Sequence, residues 1–333
     1  MIGSISEPYR ALARTVFLRP LVIVMIAVFL GSCATIHLGP EIGPFEEKKL
    51  SGEGPGKILL IDISGAIGNH SQRSLTGFPL SLGMVETVRE VLKQAEEDDD
   101  IKALLVRINS PGGTVTSSDI IYHELKIFKE LKKIKVYIAV VDLAASGGYY
   151  VAQAGDYIFA HPTSLIGSIG VIALKLDLHV LMGNVGVDWE VIKSAEKKDF
   201  LSPFRPLTEE ERKLFQETID QFHDRFVNII STNRPDLNLE SVRSLADGRV
   251  FTADQALKEK LIDGVGYFDD LTEKMKSDLN DPNLEIVTYQ RPGEYKTNLY
   301  SSLQKMDAYK LIDLNFGMDF SDISPKFLYM WMP

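Results

Sequence analysis

The chain has 333 residues, which suits one large domain or two small ones, and its apolar and charged fractions (45% and 25%) argue against a disordered or collagen-like chain. Its net charge is −10 with no block of Lys and Arg to track phosphates, so nucleic acid is not an expected partner. One cysteine excludes a disulfide framework and a Cys-rich zinc site, and six scattered histidines make no HxxxH pair, so no metal site is expected.

In chain order, Arg10, Arg14 and Arg19 precede an uncharged run from Leu21 to Leu30. This is the positive region and short apolar region of an export signal. The run is about half of the ~20 residues a spanning helix needs. It ends in Leu30-Gly31-Ser32-Cys33, which resembles the lipobox of bacterial lipoproteins, although Gly31 is less usual at its position. The resemblance implies that Cys33 is lipidated and becomes the first residue of the mature chain. The alternative is an uncleaved anchor helix running on to about Leu38, with a chance thiol. Either reading places the rest of the chain beyond the cytoplasmic membrane or at its outer face.

Residues 34–56 carry Gly-Pro steps between charges and read as a flexible tether. Order is expected from Lys57, where Ile58 to Ile63 reads as a buried strand. Met84, Val85, Val88, Val91, Leu92 and Ala95 then recur at helical spacing. Ala103–Ile108 is a second strand, followed by a Gly-rich turn and a helix holding Ile120, Ile121, Leu125, Phe128 and Leu131. Val136–Val141 is a third, followed by a small-residue turn and a helix from near Ser146. Tyr157–Ala160, Ile169–Leu174 and Trp189–Ile192 read as further strands. Alternating strands and helices imply a parallel sheet with crossover helices. Thr208-Glu209-Glu210-Glu211 has the spacing of a capping box at the head of a long helix. Residues 249–271 form a compact strand-helix-strand piece, and beyond 272 the pattern weakens. The apolar stretch Phe327–Met332 is too apolar to be left in water, so it packs on its own domain or a neighbour, or lies in a peptide groove.

Two turns carry chemistry. Ala145-Ser146-Gly147-Gly148 follows a buried strand and opens a helix, whose unpaired N–H groups and dipole favour a developing oxyanion. Asn109-Ser110-Pro111-Gly112-Gly113 is also a strand-to-helix turn, and two such turns in one parallel sheet face the same edge. Each alone also fits an ordinary capped turn. No histidine stands out as a base for Ser146, and His161 reads as a strand-end residue. A lysine can serve if burial or a neighbouring cation keeps it neutral. On spacing alone, however, Lys197-Lys198 reads as a solvated turn.

These motifs together resemble the signal peptide peptidase A family, in its single-length form. To the two turns are added Ile166-Gly167-Ser168-Ile169-Gly170, Lys193-Ser194 through Lys198-Asp199, Ser202-Pro203, and Gly248-Arg249-Val250-Phe251-Thr252 with Gln255-Ala256-Leu257. The resemblance runs in consistent order from about 57 to 271. It implies an α/β, ClpP/crotonase-like fold with repeated β-β-α units and a helical extension. It also implies Ser146 as nucleophile, Lys198 as general base, Ser168 as the serine that orients the lysine, and Gly113 as an oxyanion donor. The amide of Gly147 is a further donor candidate on geometric grounds.

The implied activity is hydrolysis of remnant signal peptides or other apolar peptides, with no metal or organic cofactor. In double-length members the serine and lysine come from different halves. A single-length chain is therefore expected to form a homo-oligomer larger than a dimer. The expected organisation is 1–33 export signal or anchor, 34–56 tether, 57–271 peptidase domain and 272–333 extension. The rival readings are a crotonase-type acyl-CoA enzyme, a non-catalytic membrane scaffold, and a Ser-His-Asp peptidase with His161 as base.

Overall fold

The structure is a computed structural model that describes residues 43–69, 72–73, 79–292, 294–296, 298–301, 304–305 and 326–332. Cys33 and the apolar run before it lie outside these residues. The first elements are β1 (Glu46–Ser51), β2 (Lys57–Ser64), β3 (Gln72–Arg73), β4 (Pro79–Ser81), α1 (Met84–Glu96), β5 (Ile101–Ser110), β6 (Gly112–Thr114), α2 (Val115–Lys132), β7 (Lys135–Ala145) and α3 (Gly147–Ala152). Next come β8 (Tyr157–Ala160), β9 (Leu165–Gly167), β10 (Ile172–Leu174), α4 (His179–Asn184), a 3-10 turn (Glu196–Asp199), α5 (Glu209–Asn233) and α6 (Leu239–Leu245). The last are β11 (Val250–Thr252), α7 (Ala253–Lys258), β12 (Gly264–Val265), α8 (Phe268–Leu279), β13 (Glu285–Gln290), β14 (Glu294–Tyr295), β15 (Gln304–Lys305) and β16 (Lys326–Met330).

The main sheet runs β1-β13-β2-β5-β7-β8-β12, parallel from β13 to β12. Its register explains the long apolar runs. Ile61, Val106, Ile138 and Ile158 align across four strands, and their face packs on Val88 and Leu92 of α1 and Ile121, Leu125 and Phe128 of α2. Leu60, Leu105 and Tyr137 align on the other face, under Leu271 and Met275 of α8. A sheet covered on both faces needs apolar residues at successive positions, which is why the strands do not alternate. The expected capping box is present, with Thr208 and Glu211 closing the first turn of α5.

Four expectations differ. Within the expected tether, Glu46–Ser51 is a strand antiparallel to β13. It is an edge strand with mostly exposed side chains, held by backbone bonds, so it leaves no apolar pattern to read. The expected domain limit at 271 also fails, because β13 inserts between β1 and β2 and buries Ile286 and Val287. Trp189–Ile192 is not a strand: Trp189 and Ile192 are exposed, and Trp189 packs on Phe204 with ring centroids 4.2 Å apart. Within Ile169–Leu174, only Ile172–Leu174 is extended.

The second face carries one buried charge cluster. Arg107 donates to Asp62 at 2.7 Å, and Lys296 Nζ, also buried, lies 4.0 Å from Asp62 without a hydrogen-bond partner among the described residues. Burial pushes the Lys296 pKa down from 10.5 to about 8 despite the pull of Asp62. Between those values the unfolded chain binds more protons at this residue than the folded one, so this residue's contribution makes stability rise with pH across that window. Lys296→Met is expected to remove that rise and to move the urea midpoint upward at pH 7. Urea titrations of both proteins at pH 7 and pH 10 check it; equal midpoints at pH 7 would contradict it.

Candidate active site

Parallel strands deliver their C-terminal ends to one edge, and three turns meet there. β7 ends at Ala145, and Ser146 caps α3 with φ 52° and ψ −114°. This is a left-handed conformation that costs a non-glycine residue energy and persists only where the surroundings impose it. The Ser146 amide donates to the Gly167 carbonyl at 2.6 Å, and the residue is 1% exposed. β9 lies parallel beside the end of β7, pairing Ala144 with Ile166 and Ala145 with Gly167. Ser168 therefore follows β9 as Ser146 follows β7. It too has a positive φ, 49°, and its amide donates to the Arg249 carbonyl at 2.7 Å. The Ser146 hydroxyl reaches the Gly170 carbonyl at 3.5 Å.

The third turn follows β5. Gly112 has φ 98°, and a Cβ there would sit 1.9 Å from the Tyr329 carbonyl oxygen and 2.6 Å from the Gly147 nitrogen. The two glycine turns are thus in direct contact. The Gly112 amide donates to Ser110 Oγ at 3.1 Å, which leaves the Gly113 amide as the candidate donor of this turn. A Cβ on Gly113 would fall 1.8 Å from the Ile67 carbonyl oxygen.

The Ser146 and Ser168 turns border a cavity of about 510 Å³, lined by Ser146, Ser168, Gly170 and, from α5, His223. Met330, Trp331 and Met332 also line it. β16 lies antiparallel between β10 and β6, pairing Leu328 with Ile172 on one side and Tyr329 with Gly113 on the other. Tyr329 stacks on Tyr150 at 5.0 Å, and Phe327 packs on Phe215 and Phe222. The apolar tail thus packs on its own domain and occupies a strand position beside Ser146. Of the expected readings, packing on its own domain is the one seen.

Lys198 does not line this cavity. It is exposed on the 3-10 turn, and among the described residues no ion pair holds it. Its neighbours are more committed. Lys197 is held cationic by Glu210 at 2.6 Å, which raises its pKa. Asp199 is pinned by Arg205 and Lys193, which hold its carboxyl well below the usual range. Arg205 also bridges to Glu211, so the segment is fastened to the head of α5. His161 is elsewhere, at the end of β8, 2.9 Å from Thr163 Oγ1 and edge-on to Tyr267. Sequence reasoning missed His223 in the cavity wall, because a lone histidine within an amphipathic helix gives no signal.

Comparison with known proteins agrees with this architecture. The family model described as "Peptidase family S49" matches residues 129–281, and that described as "Clp protease" matches residues 73–166, as expected of a ClpP-like α/β fold. A protein of Enterococcus faecium called "Putative signal peptide peptidase SppA" is 34% identical over 299 residues, covering 86% of this chain and 84% of that protein. The chloroplastic serine protease SPPA of Arabidopsis thaliana is 30% identical over 254 residues, covering 75% of this chain and 37% of that protein. Among solved structures, a mutant ClpP1 of Listeria monocytogenes aligns with 64% of this chain and 92% of its own, at 15% identity and a TM-score of 0.41. The chain belongs to peptidase family S49, the signal peptide peptidase A family of serine peptidases.

Proposed function

We propose that Ser146 is the nucleophile and Lys198 the general base of this peptidase, with Lys198 supplied by a neighbouring copy of the chain. The observation that carries the reading is that Ser146 and Ser168 share one cavity, with the Gly112 turn packed against Gly147 beside it, while Lys198 of the same chain does not line that cavity. The surface beside that lysine fits a partner copy. Leu174, Leu176, Val180, Leu181, Val185 and Ile192 are all exposed within one stretch. A patch of that kind is expected to be covered by protein. The assembly is a closed ring larger than a dimer.

In the proposed reaction neutral Lys198 takes the Ser146 proton and Oγ attacks the scissile carbonyl. The Gly113 and Gly147 amides stabilise the oxyanion. The lysinium returns its proton to the leaving amine as the C–N bond breaks, and water then hydrolyses the acyl-enzyme. Ser168, side by side with Ser146 in the sheet register, orients the lysine. The substrates are remnant signal peptides or other apolar peptides, bound as an added strand.

β16 supports this mode of binding, because it shows that an extended apolar segment fits between β6 and β10. As a tethered occupant of that groove it competes with substrate. Truncation after Ser324 is expected to lower the apparent KM for a peptide with little change in kcat. Loss of stability with KM unchanged would assign the tail to packing alone.

The proposed site of action is the outer face of the membrane, with Cys33 lipidated. Labelling by a fatty-acid analogue is expected in the wild type and absent in Cys33→Ser. Intact mass showing an unmodified Met1 in the membrane fraction would favour an anchor helix instead.

A further inference from the structure

The direction of β16 shows where a substrate's two ends lie. The tail runs from Leu328 opposite Thr114 to Met330 opposite Gly112, and the Trp331 amide then donates to the Pro111 carbonyl at 2.8 Å. Its Tyr329 carbonyl oxygen lies against Gly112 and Gly147. The residues that follow, Met330 to Met332, line the cavity shared with Ser146. A peptide bound in the same direction, with its scissile carbonyl at the Gly147 amide, sends the residues after the cut into that cavity.

The opposite wall is built by α5 and the turn after α6. Gln216, Asp220 and His223 are spaced four and three residues apart, so they form one stripe of the helix facing the cavity. Asp247 joins them from the turn. His223 Nε2 lies 3.0 Å from the Ala246 carbonyl, which can only accept, so that nitrogen carries a proton and is engaged there. Gln216 donates one amide N–H to Asp220 Oδ1 at 2.8 Å, and its carbonyl oxygen is an acceptor. Asp220 and Asp247 are carboxylates. Asp247 is already met by Arg249, so Asp220 carries the charge of the wall, and no Lys or Arg lines the cavity among the described residues.

We propose that this wall is the leaving-fragment subsite of the peptidase and selects a basic side chain, Lys or Arg, two or three residues after the cut. The proposal rests on Ser146 as nucleophile. A cationic side chain finds the Asp220 carboxylate and the Gln216 carbonyl there, while an acidic one meets like charge.

The test uses the full-length enzyme and two peptides identical except for Arg or Glu at the second residue after the cleaved bond. Because Asp220 is exposed, the wild type is expected to prefer Arg by about fivefold in kcat/KM, the upper range for a solvated ion pair. Asp220→Asn is expected to reduce that ratio to about twofold or less. A general loss of folding would lower both rates and leave their ratio unmoved, so the ratio separates recognition from stability. Equal rates on the two peptides in the wild type, or an unchanged ratio in Asp220→Asn, would overturn the proposal. A serine-directed fluorophosphonate reports Ser146 separately. An enzyme that labels at Ser146 but shows no Arg preference rejects the wall and not the nucleophile.

Discussion

Ser146→Ala and Lys198→Ala are each expected to lower kcat/KM by at least about 10³-fold, because members of a nucleophile–base unit act together and either loss removes nearly all of their joint effect. Ser168→Ala is expected to be intermediate. His161→Ala is expected to keep most of the activity, since His161 sits against Thr163 and Tyr267 and not in the Ser146 cavity. Lys197→Ala provides the control within the same turn. Its ammonium is committed to Glu210, so its loss is expected to cost little beside that of Lys198. Steady-state kinetics on an apolar peptide check all five. A fully active Lys198→Ala enzyme would remove the dyad from the account.

Gly113→Ala is expected to lower kcat by about 10²–10³-fold, the range for losing one preorganised oxyanion donor. The added Cβ would fall 1.8 Å from the Ile67 carbonyl oxygen, which is backbone and cannot turn away as a side chain would. Ile67 and Gly113 are bridged, and Ile67 also accepts the Thr114 amide at 2.9 Å, so the turn must shift as a unit. That moves the Gly113 amide off the point where the two turns meet. Single-turnover kinetics together with thermal melting distinguish this from unfolding. A folded variant with wild-type kcat would show that this amide does not contact the oxyanion.

The motif-bearing turns were legible in the sequence because they join buried strands to helices, and long apolar runs mark such strands plainly. The helix cap at Thr208 was legible for a similar local reason. Much of the rest depends on pairing between distant segments. The polar, exposed β1 is held by β13 through the backbone, and no side-chain period announces that. The left-handed conformations of Ser146 and Ser168 come from β9 docking beside β7, a contact across about twenty residues that their own types give no reason to expect. The stripe of Gln216, Asp220 and His223 reads in sequence as the solvated side of an amphipathic helix. Only the fold brings it to the same cavity as Ser146. Trp189–Ile192 was misread for the opposite reason: it is apolar enough for a buried strand, yet Trp189, Val191 and Ile192 are exposed in a single chain.

Mixing two inactive proteins tests the central claim most directly. Ser146→Ala retains Lys198, and Lys198→Ala retains Ser146. If each site takes its serine from one copy and its lysine from the next, co-assembled subunits are expected to recover part of the wild-type kcat, because some boundaries pair an intact serine with an intact lysine. Light scattering on the same sample is expected to show an assembly larger than a dimer. No recovery in a mixture shown to have co-assembled, or full wild-type activity in a sample shown to be monomeric, would contradict a site completed between copies.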